Sequence, residues 1–146
     1  MTISKLSEAH LDTCVDLFIE VFTKEPWNDV YESRDQVETF FRRHMGCNYF
    51  IGYVLAEGDN VIALSLGMKK PWIKGMEYYI DQFCVRPDLQ HKGVGTTFLT
   101  LIEHEIRREG MNALLLNTEQ GFPSERFYLK NGFQLIEGLN TRAKEV

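Results

Sequence analysis

The sequence predicts an α/β fold of the mixed (α+β) kind: a mostly antiparallel central sheet of about six strands with helices on both faces. Three observations lead there. Apolar residues recur at helical spacing near the N-terminus and again after residue 95, so amphipathic helices need a sheet to cover. Two aromatic and aliphatic runs flank Glu57-Gly58-Asp59-Asn60, which reads as an antiparallel hairpin. A strand, a helix and another strand then occupy residues 77 to 117, and that order requires a parallel crossover.

The elements follow in order. Ile3 to Leu6 forms a short first strand. Ser7 reads as the N-cap of a helix on which Leu11, Cys14, Phe18, Val21 and Phe22 share a face. Glu25-Pro26-Trp27-Asn28-Asp29 breaks it, because Pro26 disfavours helical backbone at Glu25. Ser33 caps a second helix carrying Val37, Phe40 and Phe41. Tyr49 to Ala56 and Val61 to Met68 are the hairpin strands. After a loop around Pro71 and Gly75, Glu77 to Val85 is a long strand that Pro87 ends. A helix with Phe98, Leu99, Leu101, Ile102 and Ile106 inward closes at Gly110, a helix-terminating glycine. Ala113 to Asn117 is a short strand, Pro123 sits in the first turn of a last helix, and Phe133 to Ile136 is a sixth strand.

The chain has 146 residues, which fits a single domain over 1–146 with one core. Its net charge of −5 argues against a nucleic-acid surface, which needs clustered Lys and Arg. No apolar run approaches the ~20 residues of a membrane helix, and the start lacks the basic-then-apolar order of a signal peptide. A cytoplasmic protein is expected. Cys14, Cys47 and Cys84 are odd in number and widely spaced, so they read as reduced, mostly buried thiols. His10, His44, His91 and His104 form no cluster and read as surface or capping residues, so no metal is expected.

Gln90-His91-Lys92-Gly93-Val94-Gly95-Thr96 joins the long strand to the following helix. Two glycines where one would make the turn suggest a close approach to the backbone, and a helix N-terminus attracts phosphate. The spacing fits neither the P-loop nor the dinucleotide fingerprint. On local sequence alone, phosphate binding and a plain turn into the helix remain equally good readings.

The stretch Val85-Arg86-Pro87-Asp88-Leu89-Gln90-His91-Lys92-Gly93-Val94-Gly95-Thr96 resembles the acetyl-CoA signature of the GNAT superfamily of N-acetyltransferases, Gln/Arg-x-x-Gly-x-Gly/Ala. Downstream, Phe127-Tyr128-Leu129-Lys130-Asn131-Gly132-Phe133 resembles its second marker. The resemblance is strong from Glu77 to Ile136; upstream it rests on the order of helices and strands. It implies a splay between strands 4 and 5 that holds acetyl-CoA as co-substrate. Gln90 to Thr96 would take the pyrophosphate, and the backbone of Phe83, Cys84 and Val85 the pantetheine arm and thioester carbonyl. Asn117 and Ser124 are expected on the cofactor side. Many members carry an Asn and an Ala where this chain has Gly121 and Ser124, so that contact departs from the pattern. Family chemistry is direct attack of an amine on the thioester, and the pattern assigns Tyr128 to the leaving thiolate.

An aliphatic amine must lose a proton before it attacks, which calls for a carboxylate near the thioester. Strand alternation puts Glu77, Tyr79, Asp81, Phe83 and Val85 on one face. Asp81 is the nearer base and Glu77 the second. Ile80-Asp81-Gln82 also resembles certain aminoglycoside 6′-N-acetyltransferases, in which the Asp meets the acceptor. In the fold that the resemblance implies, the segment with Trp27 and Glu25, and Asp29 beside them, borders the acceptor pocket and suits a cation by charge and cation–π contact; a Trp27 that only packs the helix junction is an equally good reading. The expected activity is therefore an acetyl-CoA-dependent N-acetyltransferase acting on a small-molecule or peptide amine, with no nucleic acid and no membrane as partner. A homodimer is compatible with the chain. A non-catalytic acyl-CoA-binding sensor is the alternative, and it predicts loss of groups such as Asp81 and Tyr128.

Overall fold

A computed structural model describes residues 1–146. Its five strands lie in the order β1-β2-β3-β4-β5, and from β1 (Thr2–Lys5) through β2 (Phe50–Glu57) and β3 (Asn60–Trp72) to β4 (Gly75–Val85) each pairs antiparallel with the next. β5 (Ala113–Leu116) pairs parallel to β4. The helices are α1 (Leu11–Phe22), α2 (Arg34–Met45), α3 (Val94–Arg108) and α4 (Pro123–Lys130).

Each face of the sheet carries its own core. The apolar stripe of α1 (Leu11, Cys14, Phe18, Val21) and Val37 and Phe41 of α2 cover Val54, Leu64, Leu66 and Cys84. On the other face, Phe98, Leu99, Ile102 and Ile106 of α3 cover Ile51, Tyr53, Ile62, Tyr78 and Ile80. Local signals behave as their chemistry dictates. Ser33 Oγ accepts the Gln36 N–H at 3.2 Å and starts α2, and Gly110, at φ 81°, ends α3. Ser7 opens a 3-10 turn (Glu8–His10), and α1 proper begins only at Leu11.

Two expectations change. No sixth strand forms. Phe133 turns inward onto the Tyr128 ring, with centroids 5.3 Å apart, and leaves the outer edge of β5 unpaired. Leu135 and Ile136 are exposed beyond it. The supposed loop around Pro71 is also strand: β3 and β4 run on to a two-residue turn, with Trp72 opposite Gly75. Pro71 is tolerated because β2 stops at the Phe50–Met68 pair, so its missing N–H faces no partner on that side.

Candidate active site

β4 pairs with β5 only from Glu77 to Ile80, and then continues alone on that side to Val85. The strands part there, which leaves the β5-facing backbone edge of Asp81 to Val85 outside the sheet. On its other edge β4 carries a bulge. Leu66 faces Gln82 and Gly67 faces Ile80, so Asp81 is the extra residue with no partner opposite. Gly67 permits it: a Cβ there would overlap the Tyr79 carbonyl and crowd the Asp81 amide.

The bulge corrects the simple alternation. Asp81 bonds His44 of α2, whereas Phe83 and Val85 pack with the α3 core and Cys84 points to the α1–α2 core. An extra residue reverses the side-chain parity, so Asp81 does not share a face with Phe83 and Val85. Burial pushes the Cys84 thiol well above its ordinary range and the Cys14 thiol up to about 12, so neither is a ready thiolate nucleophile.

Beyond β4, Gln90 Nε2 donates to the Val85 carbonyl at 2.9 Å and clamps the turn into α3. His91 (φ 61°) and Gly93 (φ 83°) are both left-handed, and His91, Lys92, Gly93 and Thr96 are exposed. The N–H groups from Val94 to Thr96 precede the first helical bond of α3, the free-donor arrangement that receives anions. The two glycines serve different needs. A Cβ on Gly93 would meet nothing within 4 Å, whereas one on Gly95 would lie 2.9 Å from the Phe127 ring of α4. Gly95 is a packing glycine, and Gly93 is the one that leaves space.

At the parted strands an open cavity of about 750 Å³ lies between the α1–α2 segment, β4 and the β5–α4 segment. Its wall combines aromatic rings (Phe18, Phe22, Trp27, Tyr31, Phe40) with the carboxylates Asp29, Asp81 and Glu119. Trp27 is held edge-on to Phe22 at 5.1 Å and to Phe122 at 6.4 Å, and Tyr31 Oη donates to Asp29 at 3.0 Å. Phe83 and Tyr128 border the cavity where the strands part. Burial raises the Tyr128 phenol far above its usual range, so it stays protonated. Asn117 and Ser124 also line the wall; Asn117 donates to Tyr79 Oη at 3.0 Å, and Ser124 shares a hydrogen bond with Thr118 at 2.8 Å.

The family model described as "Acetyltransferase (GNAT) family" matches residues 11–133. The chain belongs to the GNAT acetyltransferase family. Several solved GNAT-fold structures superpose on it over almost their full length. A transcriptional regulator from Bacillus halodurans C-125 is 17% identical at a TM-score of 0.75, covering 97% of this chain and 99% of that one. An aminoglycoside 6′-N-acetyltransferase from Acinetobacter haemolyticus is 16% identical at 0.74, covering 100% and 99%. The aminoglycoside N-acetyltransferase AAC(6′)-Iy, bound to the bisubstrate analogue CoA-S-monomethyl-acetylneamine, is 12% identical at 0.75, covering 99% and 98%.

Among the residues expected in this GNAT enzyme's site, the structure brings Trp27, Asp81, Phe83, Asn117, Ser124 and Tyr128 to one cavity. The Gln90–Thr96 loop lies beyond it, past the unpaired half of β4. Glu25 is exposed and outside the lining. Glu77 is buried at 6% exposure and bonded to Lys70 Nζ at 3.0 Å, away from the cavity wall. Sequence reasoning missed Tyr31, Phe40 and above all His44. His44 continues the Val37–Phe41 stripe of α2 at helical spacing, and that was its available signal. No helix is long and apolar enough to cross a membrane, and no group of three or more His, Cys, Asp or Glu is placed to hold a metal.

Proposed function

We propose that residues 1–146 act as one acetyl-CoA-dependent N-acetyltransferase domain whose acceptor is a cationic primary amine, reacting by direct attack in a ternary complex. One observation carries this reading: the unpaired half of β4 leads from an acidic, aromatic cavity to the exposed N-terminus of α3. Acceptor and donor thus have adjoining seats on one strand. The fit to the co-substrate is favourable, because the free N–H groups of Val94 to Thr96 suit a pyrophosphate and Gly93 leaves the approach open. When bound, acetyl-CoA supplies the acetyl thioester that the amine attacks.

The chain's own residues then divide the work. Asp29, Asp81 and Glu119 attract the ammonium, and the rings of Trp27 and Tyr31 line the same cavity, where they suit a cation. Asp81 takes the proton that the ammonium must lose; Glu77, paired with Lys70, is left out of that role. Backbone N–H groups between Phe83 and Val85, on the stretch of β4 that β5 leaves unpaired, would serve the thioester carbonyl oxygen as charge develops on it. Tyr128, kept protonated by burial, would supply the proton to the leaving sulfur.

The test is thiol release from acetyl-CoA across aminoglycosides, polyamines, amino acids and peptides, with a calorimetric acetyl-CoA titration beside it. Release that depends on one amine class is expected, and Asp81→Asn should lower kcat/KM for that amine by about 10²–10³-fold. Acetyl-CoA binding without release from any amine would overturn the enzyme reading in favour of an acyl-CoA sensor.

A further inference from the structure

We propose that His44 is the positioning residue for the acceptor amine: it donates Nε2–H to Asp81 Oδ2 from behind the cavity wall, and so turns Oδ1 towards the substrate ammonium. This rests on the acetyl-transfer reading above.

The geometry starts at the bulge. Asp81 is the unpaired residue of β4, so no cross-strand neighbour fixes its side chain. His44, 37 residues earlier in the last turn of α2, takes over that task at 2.9 Å. Its ring is held in turn by Phe40 one helical turn before it, edge to face at 4.8 Å. The imidazole is not part of the cavity lining, whereas Asp81 is. Both hydrogen bonds to the carboxylate, from His44 and a long one of 3.5 Å from Gln82, end on Oδ2. Oδ1 is therefore the oxygen left for a ligand.

The chemistry gives this division a purpose. A bond to an ionised carboxylate requires the proton on Nε2, which sets the tautomer of His44. With Oδ2 occupied, the carboxylate is both kept ionised and stopped from rotating. Oδ1 then binds the ammonium by charge and accepts its proton as the nitrogen lone pair is released for attack. The hydrogen bond from His44 holds the Asp81 carboxyl below its ordinary range, in keeping with an oxygen reserved for a cation. Other titratable groups line the same space: Asp29 and Tyr31 after α1, Glu119 after β5 and Tyr128 of α4. Tyr78 is buried on the opposite, α3 face of β4, and Glu77 is paired with Lys70 of β3 further along the sheet. None of these is bonded to Asp81.

The test compares the full-length wild type, His44→Ala and His44→Gln, using the amine found by thiol release. The active form has Asp81 ionised, so activity falls as pH drops through its titration. Removing the bond that depresses this titration must move the acid limb of kcat/KM to higher pH. His44→Ala should show that shift with a roughly 10- to 100-fold loss in kcat/KM and unchanged acetyl-CoA affinity. His44→Gln retains an N–H donor in place of the imidazole and should recover part of the rate. A second readout needs no turnover: the carboxyl carbon-13 titration of Asp81 should move upward in His44→Ala. Should both the acid limb and that titration stay in place while acetyl-CoA still binds, the positioning role is wrong and His44 is only a packing residue. A wild type that turns over no amine, with the titration shift intact, would instead overturn the acetyl-transfer reading and the role with it.

Discussion

Substituting each glycine of the α3 loop separates a binding glycine from a packing glycine. At Gly93 the backbone is left-handed (φ 83°, ψ −1°) and a Cβ meets nothing within 4 Å. A valine Cβ there meets no atom of the protein, but a β-branched residue is forced into a conformation that costs about 1–3 kcal/mol. At roughly 2–4 °C per kcal/mol for a domain of this size, Tm should fall modestly. Its bulk, however, occupies the approach to the first N–H groups of α3. Losing one charge-assisted hydrogen bond costs about 1.5–3 kcal/mol, which is about a 10- to 150-fold loss of acetyl-CoA affinity. Gly95→Ala works inward instead. Its Cβ would sit 2.9 and 3.0 Å from two Phe127 ring atoms, in a ring already packed against Phe83 and Tyr128. Overpacking of this kind costs about 1–3 kcal/mol and shifts α4, so stability and turnover should fall together. Calorimetric acetyl-CoA titration with thermal unfolding of both variants measures the contrast. Wild-type affinity in a folded Gly93→Val protein would refute the reasoning, because the loop would then be only a turn.

Two further outcomes are expected. Tyr128→Phe removes the proton donor while keeping the ring between Phe83 and Phe133; turnover should fall about 10- to 100-fold at unchanged acetyl-CoA affinity, and full turnover would return the residue to the core. Gly67→Ala forces a Cβ onto the Tyr79 carbonyl opposite the bulge. It should cost about 1–3 kcal/mol in urea unfolding and also weaken the amine reaction by displacing Asp81; loss of stability with full activity would show that the bulge does not set the base.

Much of the protein is a matter of local chemistry, and its sequence determined that part. Ser33 caps α2 and Gly110 ends α3 because each acts within a few residues of its own position. The apolar stripes of α1 and α3, the Gly58-Asp59 turn and the glycine entry to α3 follow from periodicity and backbone preference in the same way. Tertiary structure alone decided the rest. The sixth strand failed because a strand exists only with a partner, and Phe133 packs on Tyr128 while the β5 edge goes unpaired. The face of Asp81 was misjudged because a bulge depends on the strand opposite: Gly67 permits an extra residue that no pattern within Glu77–Val85 reveals. His44 looked like a surface histidine for the same reason. Its bond to Asp81 joins the end of a helix to a strand 37 residues on, and only the packing of α2 against the sheet brings the two together.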